Sequence, residues 1–78
     1  IELLHYRSPG AFGVPASRRN QRGLTHLSFV VDDVDASAAV LVRFGGTVVP
    51  GTRNGLGDPD AVQTIFLADP DGTRVELM

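Results

Sequence analysis

The chain has 78 residues and a formal net charge of −2, which allows one small domain. This charge gives no reason to expect nucleic acid or an anionic membrane as a partner. There is no cysteine and all seven basic residues are arginine, which excludes disulfides, thiolate metal sites, cysteine nucleophiles and lysine Schiff bases. No apolar run approaches the roughly 20 residues of a membrane span, and no signal-peptide pattern is present, so we expect a soluble cytoplasmic protein.

Residues 1–6 alternate as a β-strand does, with Glu2 on one face and His5 on the other. The sequence begins with isoleucine inside this predicted strand, whose sheet neighbours are therefore missing or come from another chain. We expect the 78 residues to be the C-terminal part of a longer protein. The tripeptide Ile1-Glu2-Leu3 resembles Val75-Glu76-Leu77 at the other terminus. This repeat suggests two copies of one unit, each ending in a strand that presents a carboxylate.

Residues 7–23 have no sustained helical or strand period, and their glycines and prolines predict a linker. Arg18, Arg19 and Arg22 form a basic group within it. This group can attract a phosphate or a carboxylate. The alternative is that all three side chains are simply solvated.

The strongest strand pattern covers residues 24–31. His26, Ser28 and Val30 share one face, while Leu27 and its apolar neighbours share the other. The face that carries His26 is the more polar one. We therefore expect it to border a cavity rather than a packed core.

A helix is predicted directly after this strand. Asp32 or Asp33 caps its N-terminus, and Asp35 in the first turn complements the helix dipole. Gly45 ends it. Four apolar residues follow helical spacing and predict one buried face: Val34, Ala38, Leu41 and Phe44.

Two more strands are predicted at residues 47–49 and 62–68, separated by a loop at 51–61. Three glycines and a proline in this loop predict flexibility, which suits a substrate lid but equally a plain solvated loop. Arg53 and Asn54 are the residues of the loop that can contact a substrate.

Residues 69–72, Asp-Pro-Asp-Gly, carry strong turn chemistry because proline presets the first turn position and glycine accepts positive φ. A final strand follows, with Val75 and Leu77 on one face and Arg74 and Glu76 on the other. The predicted order from residue 24 is β-α-β-β-β.

Residues 23–33, GLTHLSFVVDD, together with residues 69–77, DPDGTRVEL, resemble a module of the vicinal oxygen chelate superfamily. That superfamily includes glyoxalase I, methylmalonyl-CoA epimerase, extradiol dioxygenases and the bleomycin and fosfomycin resistance proteins. The resemblance implies an α+β fold in which residues 24–78 form one βαβββ module. It also implies that residues 1–6 are the last strand of a preceding module and that 7–23 connect the two.

In such proteins two modules enclose one divalent metal between their first and last strands. The resemblance implies that His26 and Glu76 are metal ligands, and that Glu2 is the ligand from the preceding module. Imidazole and carboxylate donors together suit Zn, Ni, Co, Mn or Fe(II). Glu76 is also the residue expected to move a proton during catalysis. The alternative for each of these residues is an ordinary exposed or structural side chain.

Three function classes agree with this pattern. The first is a metal-dependent lyase or isomerase acting on a small oxygen-rich substrate, with Arg53 as a substrate contact. The second is an extradiol-type dioxygenase, which needs two histidines and one carboxylate on Fe(II). The third is a non-catalytic drug-binding resistance protein, for which the chain is poor in aromatic residues, with four Phe, one Tyr and no Trp.

One βαβββ unit leaves an open sheet edge and half a cavity. We therefore expect the unit to pair with a second module, either in the same chain or in a homodimer.

Overall fold

A computed structural model describes all residues, 1–78, and contains one helix and four strands. In chain order these are β1 (His26–Phe29), α1 (Val34–Arg43), β2 (Thr47–Val48), β3 (Ile65–Ala68) and β4 (Arg74–Leu77). The fold is α+β, and the predicted βαβββ order is confirmed. Each strand is shorter than predicted, although the hydrogen bonds from Val31 N–H to Met78 and from Met78 N–H to Phe29 continue the β1–β4 pairing beyond the strand ends.

The four strands form one sheet in the order β1-β4-β3-β2. The last strand therefore lies inside the sheet, antiparallel to β3 and parallel to β1. The pairing with β1 places His26 opposite Arg74 and Ser28 opposite Glu76. Residues almost fifty positions apart in the sequence thus become neighbours on adjacent strands.

Both ends of α1 follow from its sequence. Asp33 is the N-cap, and its side chain accepts a hydrogen bond of 3.0 Å from the backbone N–H of Ala36. At the C-terminus Gly45 has a φ of +100°, while the N–H of Gly46 donates to the carbonyl of Leu41 at 2.9 Å. This is a Schellman motif, in which only glycine adopts the left-handed position without strain.

The helix covers one face of the sheet, which we call the helix face. The buried core comprises five residues, from the helix and from alternate positions of β3 and β4: Val34, Ala38, Ile65, Leu67 and Leu77. Val31, Leu41 and Val75 pack against it. The predicted burial of Val34, Ala38 and Leu41 on one side of the helix agrees with this packing. The prediction for Phe44 was wrong: it caps the helix instead of continuing its apolar stripe, and its side chain is 83% exposed.

Residues 1–6 form no strand and make no backbone–backbone hydrogen bond within the chain. All six are exposed, including Glu2. They have no sheet partner in this chain, so their pairing with a preceding module stays a prediction. Residues 7–23 contain no helix or strand either, and Pro15 and Ala16 are the half-buried pair that precedes a turn at residues 18–21.

No helix of the structure is long and apolar enough to pass through a bilayer.

Candidate functional site

The face of the sheet opposite the helix carries the candidate site residues, and we call it the cavity face. Because side chains alternate along a strand, the residues between the core positions all project from this side. It borders a cavity of about 430 Å³. The strand residues that define the cavity face are His26 and Ser28 from β1, Phe66 from β3, and Arg74 and Glu76 from β4.

His26 and Glu76 meet on this face where the edge strand β1 lies beside β4. The Nε2 atom of His26 lies 3.9 Å from Oε1 of Glu76. Ser28, directly opposite Glu76 in the parallel pairing, donates its hydroxyl to the same oxygen at 2.7 Å. Both side chains remain accessible, with 36% of the His26 side chain and 19% of the Glu76 side chain exposed. The prediction that these two residues lie side by side on neighbouring strands agrees with this geometry.

The imidazole of His26 is held from two further sides. Its Nδ1 lies 3.1 Å from the hydroxyl of Thr25, and its ring meets the ring of Phe66 edge to face with centroids 5.1 Å apart. A neighbouring hydroxyl on Nδ1 and an aromatic edge restrict the ring's rotation. Nε2 is therefore the nitrogen presented to Glu76.

The 51–61 loop borders the cavity, and one side chain pins it in place. The amide of Gln63 contacts the carbonyls of Gly55, Asp58 and Ala61 at 2.7, 2.9 and 3.1 Å. Asn54 also forms an antiparallel bridge with Thr64. These contacts give the loop a defined shape, and its flexibility stays a prediction. Its Thr52 and Asn54 line the cavity together with Thr64.

Arg53, in the same loop, points away from the His26–Glu76 pair and towards α1. Its guanidinium makes two hydrogen bonds to Asp35 of α1, at 2.8 and 2.9 Å, and a third to Gln63 at 2.8 Å. It also donates to the carbonyl of Asn54. The hydrogen bonds from Arg53 lower the pKa of Asp35 below its usual value, and the same bonds raise the pKa of Arg53. Arg53 lines a second cavity, beside the start of α1, so a role as a substrate contact at the His26–Glu76 pair stays a prediction.

The segment predicted as a linker closes the remaining side of the cavity. Residues 16–19 line it, and two of them are Arg18 and Arg19. Pro15 lies against the β3–β4 turn, since a methyl group built on Gly72 would be 3.7 Å from the Cγ atom of Pro15. The sequence singled out these arginines but gave no sign of where the segment packs. Arg74, Phe66 and Thr64 are further cavity residues, and strand alternation about Glu76 and Ile65 is the signal that finds them.

His26 and Glu76 fit as two ligands of one divalent ion. Two neighbouring ligands, each about 2.0–2.2 Å from a tetrahedral or octahedral ion, are about 2.8–3.6 Å apart. The observed separation of 3.9 Å is slightly longer, so a small side-chain rotation brings both atoms within reach of one ion. Glu2 does not join them within this chain, where no group of three or more His, Cys, Asp or Glu side chains is gathered for a metal. A ligand role for His26, Glu76 and Glu2 stays a prediction.

The fold and site together define a class: a βαβββ module that presents a histidine and a glutamate from its first and last strands on the open face of a mixed sheet. A family model described as a glyoxalase-like domain matches residues 3–78. The chain belongs to this family, consistent with the vicinal oxygen chelate superfamily. No curated protein and no solved structure matches it.

Proposed function

We propose that the chain is part of a metal-dependent lyase or isomerase of the glyoxalase kind, acting on a small oxygen-rich substrate. The observation that carries this proposal is the 3.9 Å approach of His26 Nε2 to Glu76 Oε1 on adjacent parallel strands, at the edge of an accessible cavity. Membership of the glyoxalase-like family supports it. The substrate lies in the cavity on the His26 side of the sheet.

The proposed donor set is one imidazole and one carboxylate from this module, and it suits Zn, Ni, Co, Mn or Fe(II). A divalent ion held there supplies Lewis-acid polarisation of a substrate carbonyl. His26 contributes Nε2, and the hydroxyl of Thr25 fixes which ring nitrogen that is. Glu76 contributes Oε1, which Ser28 orients.

Glu76 also carries the proposed proton transfer. A carboxylate accepts a proton from a carbon next to a polarised carbonyl and returns it at another position, which is the chemistry of an isomerase or a lyase. The hydroxyl of Ser28 keeps the carboxylate against the sheet while the group exchanges a proton. The ring of Phe66 shields one side of the pair from water.

The remaining ligands are proposed to come from a second module, in the same protein or in a homodimer. The chain exposes 6423 Å², whereas a monomer of 8.3 kDa exposes roughly 4,600 Å². Its Cα radius of gyration is 14.0 Å, against about 11.5 Å for a compact domain of this length. The excess area exceeds the roughly 800 Å² that one partner contributes to a stable interface. Glu2, exposed on an unpaired segment, is the proposed ligand from the preceding module.

The test is the metal content of the full chain after incubation with each of the five ions, measured by elemental mass spectrometry. His26→Ala and Glu76→Ala are the test variants. His5→Ala and Asp60→Ala are matched controls, since both remove an exposed side chain of the same type from outside the cavity. We expect about one ion per site in the parent and in both controls, with loss of the ion in both test variants.

Absence of bound metal in the parent, with folding verified by circular dichroism, would refute the catalytic proposal. The identity of the bound ion then directs the assays. Zn, Ni, Co or Mn directs them to isomerase and lyase substrates. Exclusive binding of Fe(II) would instead favour ring-cleaving dioxygenase chemistry on the same pair of residues.

A further inference from the structure

The cavity beside His26 and Glu76 is positively charged, although the chain as a whole is negative. Three arginines line it, Arg18, Arg19 and Arg74, and the carboxylate among its lining residues is Glu76. With His26 neutral, the lining carries 3 − 1 = 2 positive charges, while the whole chain carries −2. A cavity of charge opposite to that of its protein attracts ligands of negative charge.

None of these three guanidiniums is neutralised by the protein. The ion pairs of the chain are His26 with Glu76 and Arg53 with Asp35. Arg53 is different, because it donates two hydrogen bonds to the carboxylate of Asp35 and is neutralised by it. Arg18, Arg19 and Arg74 make no side-chain hydrogen bond to the protein, so their donors are available to a ligand.

The three residues are also placed by the fold. Arg74 opens β4, opposite His26 in the parallel pairing, and its side chain is half-buried. Arg18 and Arg19 lie in a turn in which the N–H of Gln21 donates to the carbonyl of Arg18 at 3.2 Å. A second bond, from the N–H of Ser17 to Oε1 of Gln21 at 3.0 Å, closes the same turn.

We propose that Arg18, Arg19 and Arg74 bind a carboxylate or phosphate group of the substrate, so that the substrate of this site is a small organic anion. This inference rests on the proposed function for the location of the reacting end, at His26 and Glu76. A guanidinium offers paired N–H donors that match the two oxygens of a carboxylate or phosphate. Thr52 and Asn54, on the loop side of the same cavity, offer donors and acceptors for hydroxyl or carbonyl oxygens.

The test is isothermal titration calorimetry of the full chain with three small probes. Inorganic phosphate represents the phosphate group and succinate the carboxylate group. The third probe, 1,4-butanediol, is the neutral analogue of succinate. We expect phosphate or succinate to bind and the diol not to bind. The preferred anion identifies which group the arginines recognise. Affinity should fall as salt is added, because part of the attraction is screened.

Variants locate the binding. Arg74→Gln and the double variant Arg18→Gln/Arg19→Gln should each weaken anion binding about tenfold or more. Arg74→Lys, which keeps the charge but not the paired donors, should weaken it less than Arg74→Gln. Arg22→Gln is the matched control, since it removes the same charge from the same segment but outside the cavity lining, and it should leave the affinity unchanged.

Equal weakening by Arg22→Gln and Arg74→Gln would overturn the inference, because binding would then follow net charge and not this cavity. Equal binding of the diol and succinate would overturn it as well. Metal content measured on the same samples separates the two proposals. A chain that binds metal but neither anion refutes the anion site alone, whereas a chain that binds an anion but no metal refutes the metal-dependent function alone.

Discussion

The two faces of the sheet are built from the same strands but from opposite kinds of residue. On the helix face, Ile65, Leu67 and Leu77 are buried against α1. On the cavity face, Arg74 and Glu76 are polar and partly accessible, and Phe66 is the apolar exception among the lining strand residues. In a chain with five buried residues, strand alternation therefore places the apolar core on one side of the sheet and the proposed site on the other.

The sharpest test of this separation compares one residue from each face. Leu67→Ala removes the least exposed core side chain, at 2% exposure, and we expect it to lower the free energy of unfolding by about 3 kcal/mol. Ser28→Ala, on the exposed part of the cavity face, should change it by about 1 kcal/mol or less, since it removes one exposed hydrogen bond to Glu76. Urea unfolding followed by circular dichroism measures both. Comparable losses in the two variants would mean that the faces do not divide stability from chemistry.

A smaller effect is expected in the loop that borders the cavity face. Gly55 and Gly57 both have a φ of +82°, but a methyl group on Gly55 would come within 2.6 Å of Nε2 of Gln63 and 2.7 Å of the carbonyl oxygen of Val62. At Gly57 the same methyl group meets nothing within 4 Å. Gly57→Ala should cost about 1 kcal/mol for the left-handed backbone alone.

Gly55→Ala should lower the free energy of unfolding by about 1 kcal/mol more than Gly57→Ala does, because it also disturbs the contacts by which Gln63 holds the loop. Urea unfolding again provides the comparison. Identical losses for the two glycine variants would show that the loop is not held by Gln63.

The smallest effect concerns the Asp35–Arg53 pair on the helix side of the same loop. The hydrogen bonds from Arg53 keep the pKa of Asp35 lower in the folded protein than its ordinary value of 3.8. A carboxyl with a lowered folded pKa stabilises the fold above its unfolded pKa, and this contribution is lost as the pH falls through the folded value. Asp35 is exposed, so the contribution is small and is screened by salt.

The parent should therefore be slightly more stable than Asp35→Asn at neutral pH, and the difference should disappear as the pH falls below 3.8. Chemical unfolding of both proteins across this pH range measures it. A difference that grows towards acidic pH would contradict the assigned direction of the pKa shift.

Local sequence rules predicted the parts of the fold that depend on local chemistry. Strand alternation placed His26 and Glu76 on the polar side of their strands. Asp33 at the N-cap and Gly45 after the last turn correctly predicted where the helix begins and ends. The Phe44 prediction failed because helical spacing was extended past the last residue of the helix.

The remaining features depend on contacts between segments that no periodicity encodes. The shape of the 51–61 loop depends on hydrogen bonds from one glutamine outside it, Gln63. The turn that carries Arg18 and Arg19 lies at the cavity, and Pro15, just before it, packs near Gly72. Arg53 turns away from the His26–Glu76 pair because a helix carboxylate, Asp35, lies within its reach.

The central proposal is a divalent metal held by His26 and Glu76, and the ring nitrogens test it most directly. The chain has two histidines, so nitrogen NMR of the imidazoles during a zinc titration compares the proposed ligand with an internal control. We expect the NMR resonance of Nε2 of His26 to shift on zinc binding, that of His5 to stay unchanged, and Glu76→Gln to weaken the shift. Identical responses of the two histidines, or no response from either, would contradict it.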